Sequence, residues 1–115
     1  MGRVSERMLA VPPREIALPS IVVYEIEVGI AKSRDPRQRR DQFREFLNIV
    51  NVLPFSMPEA KCAAGIRADL ESRGEPIGPH DILIAGAAVA NNATMVTHNT
   101  AEFSRIKGLS VIDWF

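Results

Sequence analysis

Carboxylates set among apolar residues are where this sequence most calls for chemistry, because an unpaired buried charge is costly. Glu25 lies among Ile21, Val22, Val28 and Gly29, and Glu27 follows about 200° further around a helix. Periodicity alone does not say which of the two faces a site. Asp81 stands in the first turn of an otherwise apolar helical stretch, where it either complements the helix macrodipole or serves as a metal ligand. Asn99 and Glu102 follow the apolar run Ala93 to Thr97. There, Asn and Thr bond their own backbone in turns, and Glu102 opens a helical turn. As a set, separated acids suit a divalent cation held by hard oxygen atoms, Mg²⁺ in particular, which keeps several waters. Other chemistries lack their residues. No His or Cys spacing matches a zinc site, His80 and His98 included. Neither a Ser–His–Asp motif nor a Gly-rich phosphate loop occurs.

Helices and short strands must position these groups. Ser5 to Val11 reads as a short helix closed by Pro12-Pro13, and Ile16-Ala17-Leu18 as a brief strand ended by Pro19. The spacing predicts a helix over Ile21 to Lys32 capped by the Ser20 hydroxyl. A third helix runs from Asp35-Pro36 to about Val50 and buries one face through Phe43, Phe46, Leu47 and Val50. Val52-Leu53 is a short strand, and a helix begins at Pro58 and stops at Gly74. Pro79 to Asn92 is apolar nearly all round and belongs inside the fold, with Asn91-Asn92 favouring its end. Ala93 to Thr97 has the pattern of a parallel strand covered on both faces. His98 to Phe103 turns, and Leu109 to Ile112 is the last strand. Alternating helices and short buried strands make the class α/β with a mostly parallel sheet. In such sheets ligands lie beyond the carboxyl ends of the strands, which directs attention to Thr97-His98-Asn99-Thr100 and to Asp81.

Composition narrows the setting. At 115 residues one domain is expected. With 14 Lys+Arg against 14 Asp+Glu and 46% hydrophobic residues, disorder is excluded. Cys62 alone forms no disulfide scaffold and suits a reducing cytoplasm. The longest apolar run, Ile82 to Ala90, falls short of the ~20 residues that span a bilayer, and neither a signal peptide nor a myristoylation signal is recognisable. Neutrality argues against a whole-surface nucleic-acid binder but permits a local basic patch. Lys32, Arg34, Arg37, Arg39, Arg40 and Arg44 cluster, offset by Asp35, Asp41 and Glu45. Such a run is either a solvated helix face or a grip on phosphates.

The acids, in this order, resemble those of the PIN-domain nucleases, and in particular the VapC-like toxins of toxin–antitoxin pairs. The stretch IALPSIVVYEIEVGIAKS is similar to the family's strand-then-helix element, in which an aliphatic residue follows the glutamate and a glycine stands four positions on. Glu25, Ile26 and Gly29 fit that pattern, and Glu27 does not. The stretch from Ile77 to Trp114 resembles the family's C-terminal half, with the pre-helix aspartate at Asp81 and the T-x-N-x-x-E-F signature at Thr97, Asn99, Glu102 and Phe103. Asn99 occupies a position that is aspartate in many relatives. The family's first strand, ending in Asp-Thr-Asn and carrying a central metal ligand, has no counterpart here: Met1-Gly2-Arg3-Val4 leads straight into what reads as a later helix.

The resemblance implies a three-layer α/β fold over residues 1–115, its central, mostly parallel sheet flanked by helices and its first strand missing from the middle. It implies a cytoplasmic endoribonuclease toxin that dimerises and is inhibited by a cognate antitoxin. The acids would hold Mg²⁺ or Mn²⁺ beside an RNA phosphodiester, directly through Asp81 and through water or a second metal for Glu25 and Glu102. Thr97 and Asn99 would orient waters or the neighbouring acids, and Lys32, Arg34, Arg37, Arg39 and Arg40 would grip the RNA backbone. With one central ligand absent, the resemblance also implies weakened metal affinity and little or no ribonuclease activity. The competing expectation is a catalytically defective PIN-fold binding protein that pairs with an antitoxin, its apolar contacts supplied by Met8, Leu9, Phe55 and Met57.

Overall fold

The computed structural model describes residues 16–97 and 99–113, so the helix expected over Ser5 to Val11, and with it Met8 and Leu9, lies outside the described residues. In chain order the elements are β1 (Ala17–Pro19), α1 (Ser20–Ala31), α2 (Pro36–Leu47), β2 (Asn51–Leu53), α3 (Met57–Ser72), α4 (Pro79–Ala90), β3 (Thr94–Val96), α5 (Thr100–Phe103) and β4 (Ser110–Ile112).

The helix ends follow from local chemistry, with two departures from expectation. Ser20 does not cap α1: β1 runs straight into the helix, so the cap position falls on Pro19, in extended conformation, and no side chain bonds the free N–H groups. Helix α2 is opened by Asp35, whose carboxylate accepts from the Gln38 N–H at 3.4 Å, and it stops at Leu47 rather than near Val50. The chain turns there to enter β2, where the Asn51 N–H reaches the Ile16 carbonyl at 2.9 Å. Phe43 and Phe46 stack at 6.4 Å, and the apolar face of α2 is half-buried rather than buried. Gly74 ends α3 at φ +69° and Asn92 ends α4 at φ +54°, each in the left-handed region. At both ends the next N–H reaches back, Glu75 to the Leu70 carbonyl at 2.9 Å and Ala93 to the Ala88 carbonyl at 2.8 Å.

All strand pairing is parallel: β1 with β2 and β3 with β4. The strands form two hydrogen-bonded pairs, and among the described residues no strand joins one pair to the other. Helix α4 spans the division, packing against α3, α1, β1 and β3. The division also corrects the expectation for β3, which is not covered on both faces. Met95 is half-buried while Thr94 and Val96 are exposed, because side chains alternate along a strand and here only one face meets the core.

That core comprises Ala63, Leu70, Ile82, Ala85, Phe103 and Ile106, with Phe55, Ile77, Met95 and Val111 against it. Leu70 is fully buried. Small residues let α3 and α4 approach closely: a methyl built on Gly86 would lie 2.6 Å from the Ala63 Cβ. At the far end of α3, Arg73 holds Asp69 and Glu75 at 2.8 Å each and donates to the Arg105 carbonyl at 2.6 Å, tying the helix to the loop before β4. Among the described residues no helix is long and apolar enough to cross a membrane.

Glu59, in the first turn of α3, is a buried charge with a complete set of partners. Its carboxylate accepts from the Ser56 hydroxyl at 2.7 Å, the Ser56 N–H at 2.9 Å and Asn91 Nδ2 at 3.1 Å, so it caps α3 and clasps the end of α4. These bonds, the Ser56 hydroxyl foremost, bring its carboxyl from the usual 4.5 down to about 2. A depressed carboxyl stabilises the fold above its unfolded value and loses that contribution as pH falls through the folded one. Glu59→Gln should therefore lower the urea midpoint at pH 7 and flatten its decline between pH 4.5 and 2. Parallel acid limbs in the two proteins would refute this role.

Candidate functional site

Three helices deliver one carboxylate each to a common region. Glu25 lies mid-way along α1 and is exposed, Asp81 is in the first turn of α4, and Glu102 lies on α5, just beyond the end of β3. Asp81 and Glu102 are half-buried. The Asp81 carboxyl is raised above its ordinary value, first by burial, then by the negative charge of Glu102, then by that of Glu25. Two acids that come from positions far apart in sequence thus act on Asp81 through space. Glu25 is among the charges acting on Asp81, and Glu27, also exposed, is not.

The residues after β3 order the third acid. Asn99 Nδ2 donates to Glu102 Oε2 at 2.6 Å, and the Asn99 N–H bonds Thr97 Oγ1 at 3.0 Å. Thr97 therefore fixes the turn, the turn fixes Asn99, and Asn99 fixes one oxygen of Glu102. His80 Nδ1 stands 3.3 Å from Glu25 Oε2, linking α4 to α1 at the rim. An apolar cavity of ≈ 620 Å³ lies elsewhere, between α3 and the start of α4, lined by Phe55, Leu70, Ile77 and Ile82 but by none of the three acids. Phe55 is thus part of the core rim rather than a free contact, while Met57 is 67% exposed.

The donor chemistry suits a hard divalent cation. Carboxylate oxygens that repel one another gain from a cation between them, and Mg²⁺ is commonly bound by one or two carboxylates with water completing its shell. Among the described residues no three His, Cys, Asp or Glu side chains gather closely enough to hold a metal ion by themselves.

The PIN domain family matches residues 3–109. The chain is a PIN-domain protein of the VapC family. It is 40% identical over 102 residues to ribonuclease VapC2 of Rickettsia felis, a match covering 86% of this chain and 74% of that protein. It is 34% identical over 100 residues to the tRNA(fMet)-specific endonuclease VapC of Shigella flexneri, covering 87% and 76% respectively. Among solved structures, the DNA-bound VapBC of Salmonella typhimurium superposes with a TM-score of 0.89 at 33% identity, covering 98% of this chain and 85% of that one. An α/β PIN fold with parallel strands is thereby established.

Within this PIN domain the basic residues follow Glu25 along the chain, from the end of α1 into α2. Lys32 stands two turns, about 10 Å, along the α1 axis from Glu25. Arg34, Arg37, Arg39 and Arg40 continue onto α2, all exposed, and Arg44 is held at 3.6 Å by Asp41. Sequence reasoning missed two features. One is the Ser56–Glu59 capping box, whose S-x-x-E signature is written in the chain two residues before the helix start expected at Pro58. The other is the aromatic rim: Tyr24 and His80 each immediately precede an acid, and their rings meet 6.0 Å apart. His80, which matches no zinc spacing, faces Glu25 at 3.3 Å, and His98 lies outside the described residues.

Proposed function

We propose that this chain is the toxin of a type II toxin–antitoxin pair and cleaves RNA phosphodiester bonds with the help of Mg²⁺ or Mn²⁺. The observation that carries this reading is the likeness to VapC ribonucleases, with Glu25, Asp81 and Glu102 supplied by three separate helices. The relatives' names, ribonuclease and tRNA(fMet)-specific endonuclease, support the reaction type. Asp81 would hold the cation directly, with Glu25 and Glu102 reaching it through water, and the bound metal would supply an activated water and charge stabilisation at the phosphate. Asn99 and Thr97 keep Glu102 in one orientation, as outer partners of metal sites do. Lys32, Arg34, Arg37, Arg39 and Arg40 draw the RNA backbone towards the acids. A cognate antitoxin is the protein partner, supported by the VapBC complexes among the neighbours, and a second copy of the chain is the partner implied by the family resemblance. An RNA substrate supports a cytoplasmic site of action.

A second reading is favoured by one observation, the lack of a closed group of three ligands among the described residues. In it the chain keeps the fold and the antitoxin-binding role without cutting RNA. One experiment separates the two: incubation of cellular RNA with the chain and Mn²⁺, followed by fragment analysis. Fragments produced by the wild type and lost with Asp81→Asn support the nuclease. Intact RNA together with retained antitoxin binding supports the binding protein.

The basic patch has its own test. Reversing Arg39 and Arg40 to Glu should weaken RNA binding and reduce the slope of log affinity against log salt by about 1.4, from about 0.7 per phosphate contact on single strands. An unchanged slope would make the patch an ordinary solvated helix face.

A further inference from the structure

Helices α1 and α4 bring more than acids to this edge. Tyr24 directly precedes Glu25, and His80 directly precedes Asp81, so each acid has an aromatic ring one residue away. The two rings meet across the helices with centroids 6.0 Å apart and planes at 89°, an edge-to-face pair. His80 Nδ1 is engaged by Glu25 at 3.3 Å, which leaves Nε2 as the ring nitrogen open to a ligand. Both rings are accessible: Tyr24 is 57% exposed and the His80 side chain 53%. Among the described residues Tyr24 is the one aromatic ring in the set of exposed large apolar side chains. A ring left in water on the rim of a charged site, braced by a second ring that is itself tied to one of the acids, has the build of a stacking platform.

We propose that Tyr24 and His80 form a nucleobase subsite, in which Tyr24 stacks on the base flanking the phosphate held at the acids. The chemistry selects the ligand. Glu25, Asp81 and Glu102 make the surroundings negative, which disfavours a further phosphate or an acidic peptide at this corner. A neutral flat π-face with a hydrogen-bonding edge suits an aromatic ring lying against perpendicular neighbours. Stacking is tolerant of base identity because every base has a π-face. The subsite therefore adds grip rather than sequence choice. This inference rests on the ribonuclease reading, since it needs RNA at the acids.

The test compares two ligands and three proteins. Filter binding in Ca²⁺ measures the affinity of a short oligouridylate and of the matching abasic ribose-phosphate oligomer for the wild type, Tyr24→Phe and Tyr24→Ala. Stacking predicts that Tyr24→Ala loses about 5- to 100-fold on the oligouridylate and nothing on the abasic oligomer, while Tyr24→Phe keeps wild-type affinity for both. Circular dichroism establishes that the variants fold. Equal loss on both ligands, or no loss on either, overturns the subsite while leaving the nuclease reading standing. Loss of antitoxin binding with RNA affinity unchanged also overturns it and makes the rim a protein contact. A wild type that binds neither oligomer removes the ribonuclease reading, and the subsite with it.

Discussion

Asn in place of Asp81 is expected to weaken Mn²⁺ binding by at least the about 10- to 100-fold that loss of an outer partner costs a metal site, and at the same time to raise the melting temperature. The two effects share one cause. Burial and the charges of Glu102 and Glu25 raise the Asp81 carboxyl, so the ionised form is disfavoured in the folded protein. An acid raised in this way costs stability at every pH where it is ionised, and the cost disappears as pH falls through its folded value. Neutral Asn keeps the shape and removes the cost. The gain stays below about 1 kcal/mol because solvent screens a half-exposed group, which in a domain of this size is under about 4–8 °C. It should shrink on acidification, as the wild-type carboxyl takes up its proton. Manganese titration followed by electron paramagnetic resonance, with thermal melts at pH 7 and at the ordinary aspartate value of 3.8, measures both. A variant that binds Mn²⁺ normally would remove Asp81 from the metal site. One that melts lower at pH 7 would show that its helix-start role outweighs the repulsion.

The second large effect is structural. Gly86→Ala places a methyl 2.6 Å from the Ala63 Cβ and 2.8 Å from the Ala63 Cα and N. Two of these three contacts are with backbone, so no side-chain rotation relieves them and α3 and α4 must separate. Overpacking of this kind costs about 1–3 kcal/mol. Alanine in a helix interior returns up to about 1 kcal/mol over glycine. The clash should win, giving a net loss of about 1–2 kcal/mol in urea unfolding. Ala63→Gly removes the nearest atom on the opposing helix and should recover part of the loss in the double variant, a coupling that a propensity effect alone would not produce. A stabilised Gly86→Ala would mean that the two helices can shift freely.

Much of this was legible in the sequence, for reasons that differ from element to element. Helix α4 could be read because a nearly all-apolar stretch beginning at Pro79 and ending in Asn91-Asn92 has few alternatives, and Ile82, Ala85, Ala87 and Ala88 are indeed buried. The stop at Gly74 was equally readable, because a glycine there takes φ +69° without cost. Ser20 misled because a capping hydroxyl requires a loop residue to carry it, and β1 meets α1 with none. Periodicity could not choose between Glu25 and Glu27; only the packing of α1 against α4 decides which glutamate sees Asp81. The Glu59–Asn91 bond joins residues far apart in the chain, so only the Ser56 half of that network had a local signal.

The division of the strands into two pairs bears on the site itself. Glu25 rides on the helix that follows β1, Glu102 on the turn that follows β3, and Asp81 on the helix that bridges them. Burial and the negative charges of Glu102 and Glu25 all act on Asp81, so the helix that packs against both strand pairs also carries the electrostatic strain of the site. A cation that binds these carboxylates offsets that strain, and by mass action its affinity appears as resistance to unfolding.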